Sequence, residues 1–235
     1  MEPGLKMPFA RFTIMKVCPL QFESQFPPDL EAIKNYRLFD CHIGYDIASK
    51  LDGKLITVIR NPFDRIISLY YYWRELPDTT YGPGLAKRLT LEEFIECRDD
   101  LIILDAVNTQ TWQIAFGTTL SARDSNAHLS PDQLLEKAIK NLEHFEVVGV
   151  TEAMPLVAMG IRSKLGLPVD AAMAHTNVTN SRPTLGEIPV ALRDRIYSLV
   201  NVDLALYQHV LERYVAPNVL DANFAPPALA PVHSC

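Results

Sequence analysis

Three observations in the sequence predict an α/β fold, a single domain in which a parallel sheet is flanked by helices. Two short apolar runs rich in β-branched residues, Leu55-Ile56-Thr57-Val58-Ile59 and Phe145-Glu146-Val147-Val148-Gly149-Val150, read as core strands. Each passes directly into a helical pattern, and helices dominate the long interval between them. From Tyr36 onward the order is strand, strand, helices, strand, helix, which favours parallel pairing under a cover of helices.

Composition sets the frame. A chain of 235 residues, 48% hydrophobic, can bury the core of one large domain. The formal net charge of −6 argues against nucleic acid as the main partner, which would need a basic face, and leaves room for a local basic pocket. Cys18, Cys41, Cys97 and Cys235 are widely spread and form no C-x-x-C pair, so neither a metal site nor a disulfide framework is expected. The first residues contain no apolar core of signal-peptide length. No stretch approaches the roughly 18 apolar residues of a membrane span. A soluble, cytoplasmic protein is the expectation.

Taken in order, Met1 to Pro28 is apolar but repeatedly broken by Pro3, Pro8, Pro19, Pro27 and Pro28, and shows no clean period. Asp29 to Asn35 reads as a short helix and Tyr36 to Phe39 as a strand, ending at Asp40-Cys41-His42. A histidine at a strand end is more often a hydrogen-bonded structural residue than a catalyst. After the Leu55–Ile59 strand come Arg60, Asn61 and Pro62. Proline has a fixed φ and no N–H, which suits the first turn of a helix. Ile66, Ile67, Tyr70, Tyr71 and Trp73 then recur at helical steps and supply an apolar face. Arg60 leaves the strand's carboxyl end where the first helical N–H groups also point, and Ser68 follows eight residues later, an arrangement suited to a phosphate. The structural alternative is an arginine paired with a carboxylate at a strand end.

Leu76 to Gly84 has turn chemistry and reads as a surface loop. Gly82 to Lys87 lacks the spacing of a phosphate loop, and the absence of an Asp pair for magnesium argues against a kinase-like enzyme. Thr90-Leu91-Glu92-Glu93 is a capping box for a helix to about Cys97. A single helix is expected from Asp105 to Phe116, with Thr111, Ile114 and Ala115 inward and Asn108 and Gln110 on its outer face. Ser130-Pro131 starts another, with Leu134, Ala138 and Leu142 in its buried stripe. Thr151-Glu152 leads into a helix ending near Gly166. The segment Ala174 to Pro183 concentrates hydrogen-bonding groups and one Arg, as a second clamp on a phosphate would. Thr184 to Glu187 caps one long final helix, Pro189 to Tyr214. From Ala216 the chain is rich in Pro and Ala, so the domain is set at 1–215 and a disordered tail at 216–235.

The string Arg-Asn-Pro-x-Asp-Arg-x-x-Ser-x-Tyr-x-x-Trp, Arg60 to Trp73, resembles the 3′-phosphate-binding motif of sulfotransferases that use 3′-phosphoadenosine 5′-phosphosulfate. The resemblance covers about Gln25 to Tyr214. It implies a P-loop NTPase-like sulfotransferase fold, with Arg60 and Ser68 holding the 3′-phosphate. His42 stands where the carbohydrate-modifying subgroup places its general base, eighteen positions before Arg60. Asn108-Thr109-Gln110-Thr111-Trp112-Gln113 resembles an asparagine-led helix of that subgroup. Its asparagine-rich segment before the last helix implies nucleotide contacts from Asn177, Ser181 and Arg182. The implied reaction transfers a sulfuryl group to a hydroxyl-bearing acceptor, with carbohydrate as the class the subgroup suggests, and needs no metal. The family's Pro-Lys-x-Gly-x-x-Ser/Thr loop for the 5′-phosphosulfate is not found in the sequence. Two expectations follow: an N-terminally incomplete sulfotransferase, or a non-catalytic descendant that keeps the 3′-phosphate half-site and binds a nucleotide or a protein.

Overall fold

The structure is a computed structural model that describes residues 43–78, 81–166 and 182–219. The helix expected at Asp29 to Asn35 and the strand expected at Tyr36 to Phe39 fall outside the described residues.

The sheet takes its form from the two β-branched runs. Among the described residues it has two strands, β1 (Leu55–Ile59) and β2 (Phe145–Val150), paired in parallel with Ile56 opposite Val147 and Ile59 opposite Val150. Parallel neighbours require a long crossover, and the helices between the two strands supply it. Both strands therefore release the chain at the same edge of the sheet. From β1 the chain enters α2 (Pro62–Glu75), preceded by α1 (Tyr45–Ala48) upstream of the strand. From β2 it passes through one tight turn, Thr151–Ala153, into α9 (Met154–Leu165). Gly149 allows α9 to lie close on β2, because a Cβ there would come within 2.3 Å of Val157 Cγ2. Gly166 ends α9 with φ +64°, the left-handed conformation that glycine adopts without penalty.

The core has two parts. One surrounds α2, where Phe63, Ile66, Ile67, Tyr70 and Trp73 meet Phe94, Ile102 and Ile196. The other lies under the sheet, where Ile59 and Val150 meet Ile114, Leu142, Leu206 and Val210. Ile66, Ile67, Tyr70 and Trp73 in the first part and Ile114 and Leu142 in the second belong to the apolar stripes read from sequence.

Several helices match expectation and three regions correct it. The capping boxes open α4 (Leu91–Glu96) from Thr90 and α8 (Pro131–Leu142) from Ser130, and α7 (Leu120–Ser125) precedes α8. The expected loop at Leu76 to Gly84 is instead partly helical: α3 runs Tyr81–Arg88, with Gly82, Pro83 and Gly84 buried. Pro83 is tolerated in a first turn, and Gly82 offsets its poor helix propensity by seating Trp73, whose ring carbon would lie 2.9 Å from a Cβ there. The single helix expected from Asp105 to Phe116 is two, α5 (Asp100–Ala106) and α6 (Thr109–Ala115). They part at Asn108, which sits at φ 47° and ψ 36°, a left-handed conformation asparagine tolerates better than most residues. The long final helix is likewise broken, into α10 (Val190–Leu199) and α11 (Asn201–Val210), and continues through a wide turn at Leu211–Val215 into α12 (Ala216–Val219). Helix thus extends into the start of the expected tail; residues 220–235 lie outside the described residues.

The Asn108 break and the Val200 break answer one another. Asn108 Oδ1 accepts hydrogen bonds from the Val202 and Asp203 N–H groups, at 3.0 and 3.1 Å, and so satisfies two first-turn donors at the start of α11.

Candidate anion-binding site

The site begins where β1 ends. Arg60 is held by its backbone: its N–H donates to Gln110 Oε1 at 2.8 Å, and Gln110 Nε2 donates to its carbonyl at 2.9 Å. One amide side chain thereby takes the place of a neighbouring strand. The next N–H, of Asn61, donates to Glu152 Oε1 at 3.0 Å, just beyond the end of β2. Asn61 then caps α2, its side chain accepting from the Asp64 N–H at 3.2 Å.

The support behind Gln110 is buried. Asp203, 1% exposed, accepts from the Gln110 N–H at 3.2 Å, the Thr111 N–H at 2.7 Å and the Thr111 hydroxyl at 2.6 Å. Burial pushes the Asp203 carboxyl above its usual range, against the Thr111 hydrogen bonds and the Arg65 charge. The expectation that Gln110 lies on an outer face is corrected: Gln110 and Thr111 are both buried, because α6 packs its polar edge on a carboxylate rather than on solvent. A signal for this exists in the sequence. Asp203 falls on the same helical stripe as Leu206, Tyr207 and Val210, so a carboxylate occupies a core position and requires donors opposite it.

The side chains at the surface of the site form a second layer. Arg60 Nε and Nη2 donate to Asp64 Oδ2 at 3.1 and 2.5 Å, and Arg182 Nη1 donates to Asp64 Oδ1 at 2.8 Å. The two guanidinium side chains are 30% and 31% exposed. Burial raises the Asp64 carboxyl, but hydrogen bonds and charge from Arg182 and Arg60 outweigh it and hold the group below the ordinary carboxylate range. Steps of four residues place Asp64 and Ser68 on one face of α2, with half-buried Ser68 one turn farther along. Arg65 points the other way, its Nη1 donating to the Asp105 carbonyl at 2.5 Å. The Asp-Arg pair of the motif therefore divides between the site and the interior. Behind Glu152, burial and the carboxylate's charge keep the Tyr207 phenol protonated far above its ordinary range.

Of the residues proposed from sequence, Arg60 and Arg182 come together, joined through Asp64, and Ser68 shares the face of α2 that bears Asp64. His42, Asn177 and Ser181 lie outside the described residues. Asp64 as a bridge, and Gln110, Glu152 and Asp203 as supports, were not assigned to the site from sequence.

Residues 6–117 match the family model of the sulfotransferase domain. That stretch holds β1, the Arg60 turn, the whole of α2 and the Gln110 support, and spans a little under half of the chain. It supports a sulfotransferase family, and with it a transferase whose relatives generally use 3′-phosphoadenosine 5′-phosphosulfate. The match starts upstream of Gln25, where the motif resemblance begins, and stops well before Tyr214. The helix-rich architecture with its small parallel sheet agrees with the sulfotransferase α/β fold. No curated protein and no solved structure matches the chain. Among the described residues no helix is long and apolar enough to cross a membrane.

Proposed function

We propose that Arg60, Ser68 and Arg182 bind the 3′-phosphate of 3′-phosphoadenosine 5′-phosphosulfate, and that the chain directs sulfuryl transfer to an acceptor hydroxyl, with carbohydrate as the acceptor class. The observation that carries this is Arg60: it stands at the carboxyl end of a parallel strand, its backbone is held on both sides by Gln110, and its guanidinium is drawn beside that of Arg182. Ligands of open parallel sheets bind at this end of the strands, and the first N–H groups of α2 add to the positive potential there. The residues fit the group. Arg60, Arg182 and Asp64 together carry one positive charge in excess, which a phosphate can meet, while the Glu152 carboxylate accepts from the Asn61 N–H.

When bound, the nucleotide supplies a sulfuryl group whose bond to phosphate breaks as the acceptor oxygen bonds to sulfur. His42 takes the proton of that hydroxyl; near neutral pH an imidazole has a basicity suited to the task. Asn177 and Ser181 add contacts to the nucleotide, and the chain's work is to hold the donor in line with the acceptor.

Calorimetric titration with adenosine 3′,5′-bisphosphate and adenosine 5′-monophosphate tests the site. The bisphosphate binds more tightly, and Arg60→Ala weakens it at least about tenfold, the order expected for a lost charge-assisted hydrogen bond. Equal affinity of wild type and Arg60→Ala for the bisphosphate refutes the assignment.

A further inference from the structure

We infer that Asp64 is a positioning residue that assembles Arg60 and Arg182 into one two-guanidinium receptor for phosphate; the inference rests on the phosphate reading above. Arg182 is 118 residues from Asp64 in sequence and belongs to a different segment of the chain, so something must bring its cation to the strand end. Two guanidiniums left to themselves repel. The Asp64 carboxylate gives each its own oxygen, Oδ2 to Arg60 and Oδ1 to Arg182, and so sets their separation by its own width.

Among the described residues the bonding leaves donors over. Arg60 engages Asp64 through Nε and Nη2 and Arg182 engages it through Nη1, which among the described residues leaves the other edge of each guanidinium to meet an anion. Asp64 is itself fixed. It is the third residue of α2, and its N–H is held by the Asn61 cap, so its backbone does not shift with the arginines. Two alternatives deserve weighing by their consequences. If Asp64 is a counter-ion that fills the empty site, its removal frees two cations and tightens phosphate binding. If it serves as a favourable first-turn acid for the helix, its removal alters stability and leaves nucleotide discrimination unchanged. Positioning predicts the opposite sign from the first and a different readout from the second.

The experiment compares wild type, Asp64→Ala, Asp64→Asn, Arg182→Ala and the Asp64→Ala/Arg182→Ala double variant by calorimetry with adenosine 3′,5′-bisphosphate and adenosine 5′-monophosphate. Asp64→Asn keeps the shape and one acceptor, and so remains informative where Asp64→Ala fails to fold. Both Asp64 variants are expected to lose about tenfold in bisphosphate affinity, although each gains a positive charge, and to keep their affinity for the monophosphate. In the Arg182→Ala background the Asp64→Ala loss shrinks, since the partner it positions is gone. Tighter or unchanged bisphosphate binding in both Asp64 variants overturns the inference, as does an equal loss for the two nucleotides or a loss undiminished without Arg182. A wild-type chain that binds both nucleotides equally refutes the phosphate reading itself, and the inference with it.

Discussion

At the scale of single residues, the site depends on side chains that substitute for backbone. Gln110 supplies both halves of the hydrogen bonding that a neighbouring strand would give Arg60. Its two bonds cannot be replaced by water without opening a buried amide that is 8% exposed. Gln110→Ala is therefore expected to cost about 1–3 kcal/mol of stability, the range for stranding buried polar groups, and to weaken bisphosphate binding because Arg60 loses its fixed starting point. Denaturant unfolding alongside calorimetric titration measures both. Unchanged stability would show that Gln110 is dispensable. The spacing from Asp64 to Ser68 is also a residue-scale fact with a geometric cause: one helical turn separates them in α2, so the bridge and the hydroxyl share a face, and Arg60 at the strand end is tied to that face by its bonds to Asp64.

At the scale of elements, what aims the site is the way each strand hands over to its helix. The β1 exit is a cap and a proline, and its result is a 14-residue helix whose start faces the carboxyl end of the sheet. The β2 exit is a tight turn that leaves Glu152 to hold the Asn61 N–H. The seat of α9 on β2 is set by Gly149, where even one methyl group meets Val157. Gly149→Ala is expected to destabilise the protein by about 1–3 kcal/mol through overpacking, and Val157→Ala in the same chain is expected to recover part of that loss although it is destabilising alone. Thermal unfolding of the two single variants and the double checks this; purely additive losses would refute it. These handovers were legible in sequence, because caps, prolines and short apolar runs act over a few residues. The boundaries Leu55–Ile59, Pro62–Glu75 and Pro131–Leu142 follow from such local signals. The Asn108 break was not legible, since its cause is two N–H groups of α11 more than ninety residues away.

At the scale of the whole molecule, a polar path runs from α11 through α6 to the strand end: Asp203 holds Gln110 and Thr111, and Gln110 holds Arg60. Its buried carboxylate has a consequence for stability. Burial raises the folded-state value of Asp203 above its ordinary 3.8, so the folded protein takes up this proton more readily than the unfolded chain. The resulting contribution is complete below the ordinary value and is lost as pH rises through the folded one. Asp64 has the opposite sign, with stability present above the ordinary value and lost as pH falls. In Asp203→Asn the first contribution disappears at every pH, so unfolding free energy measured from acid to neutral pH is expected to lose its decline above the ordinary carboxylate range. A pH profile parallel to that of wild type would refute the assignment.

By itself the sequence determined the strand–turn–helix unit at Arg60, the helix starts at Pro62, Leu91 and Pro131, the handover at β2 and the likeness to a sulfotransferase motif, because each depends on residues close together in the chain. Tertiary structure alone decided that Gly82, Pro83 and Gly84 lie in a helix, that Gln110 faces inward and that Arg182 meets Asp64. Those outcomes are set by contacts between distant segments: an indole that needs a glycine to close on, a buried carboxylate that needs donors, and two like charges that need one carboxylate between them.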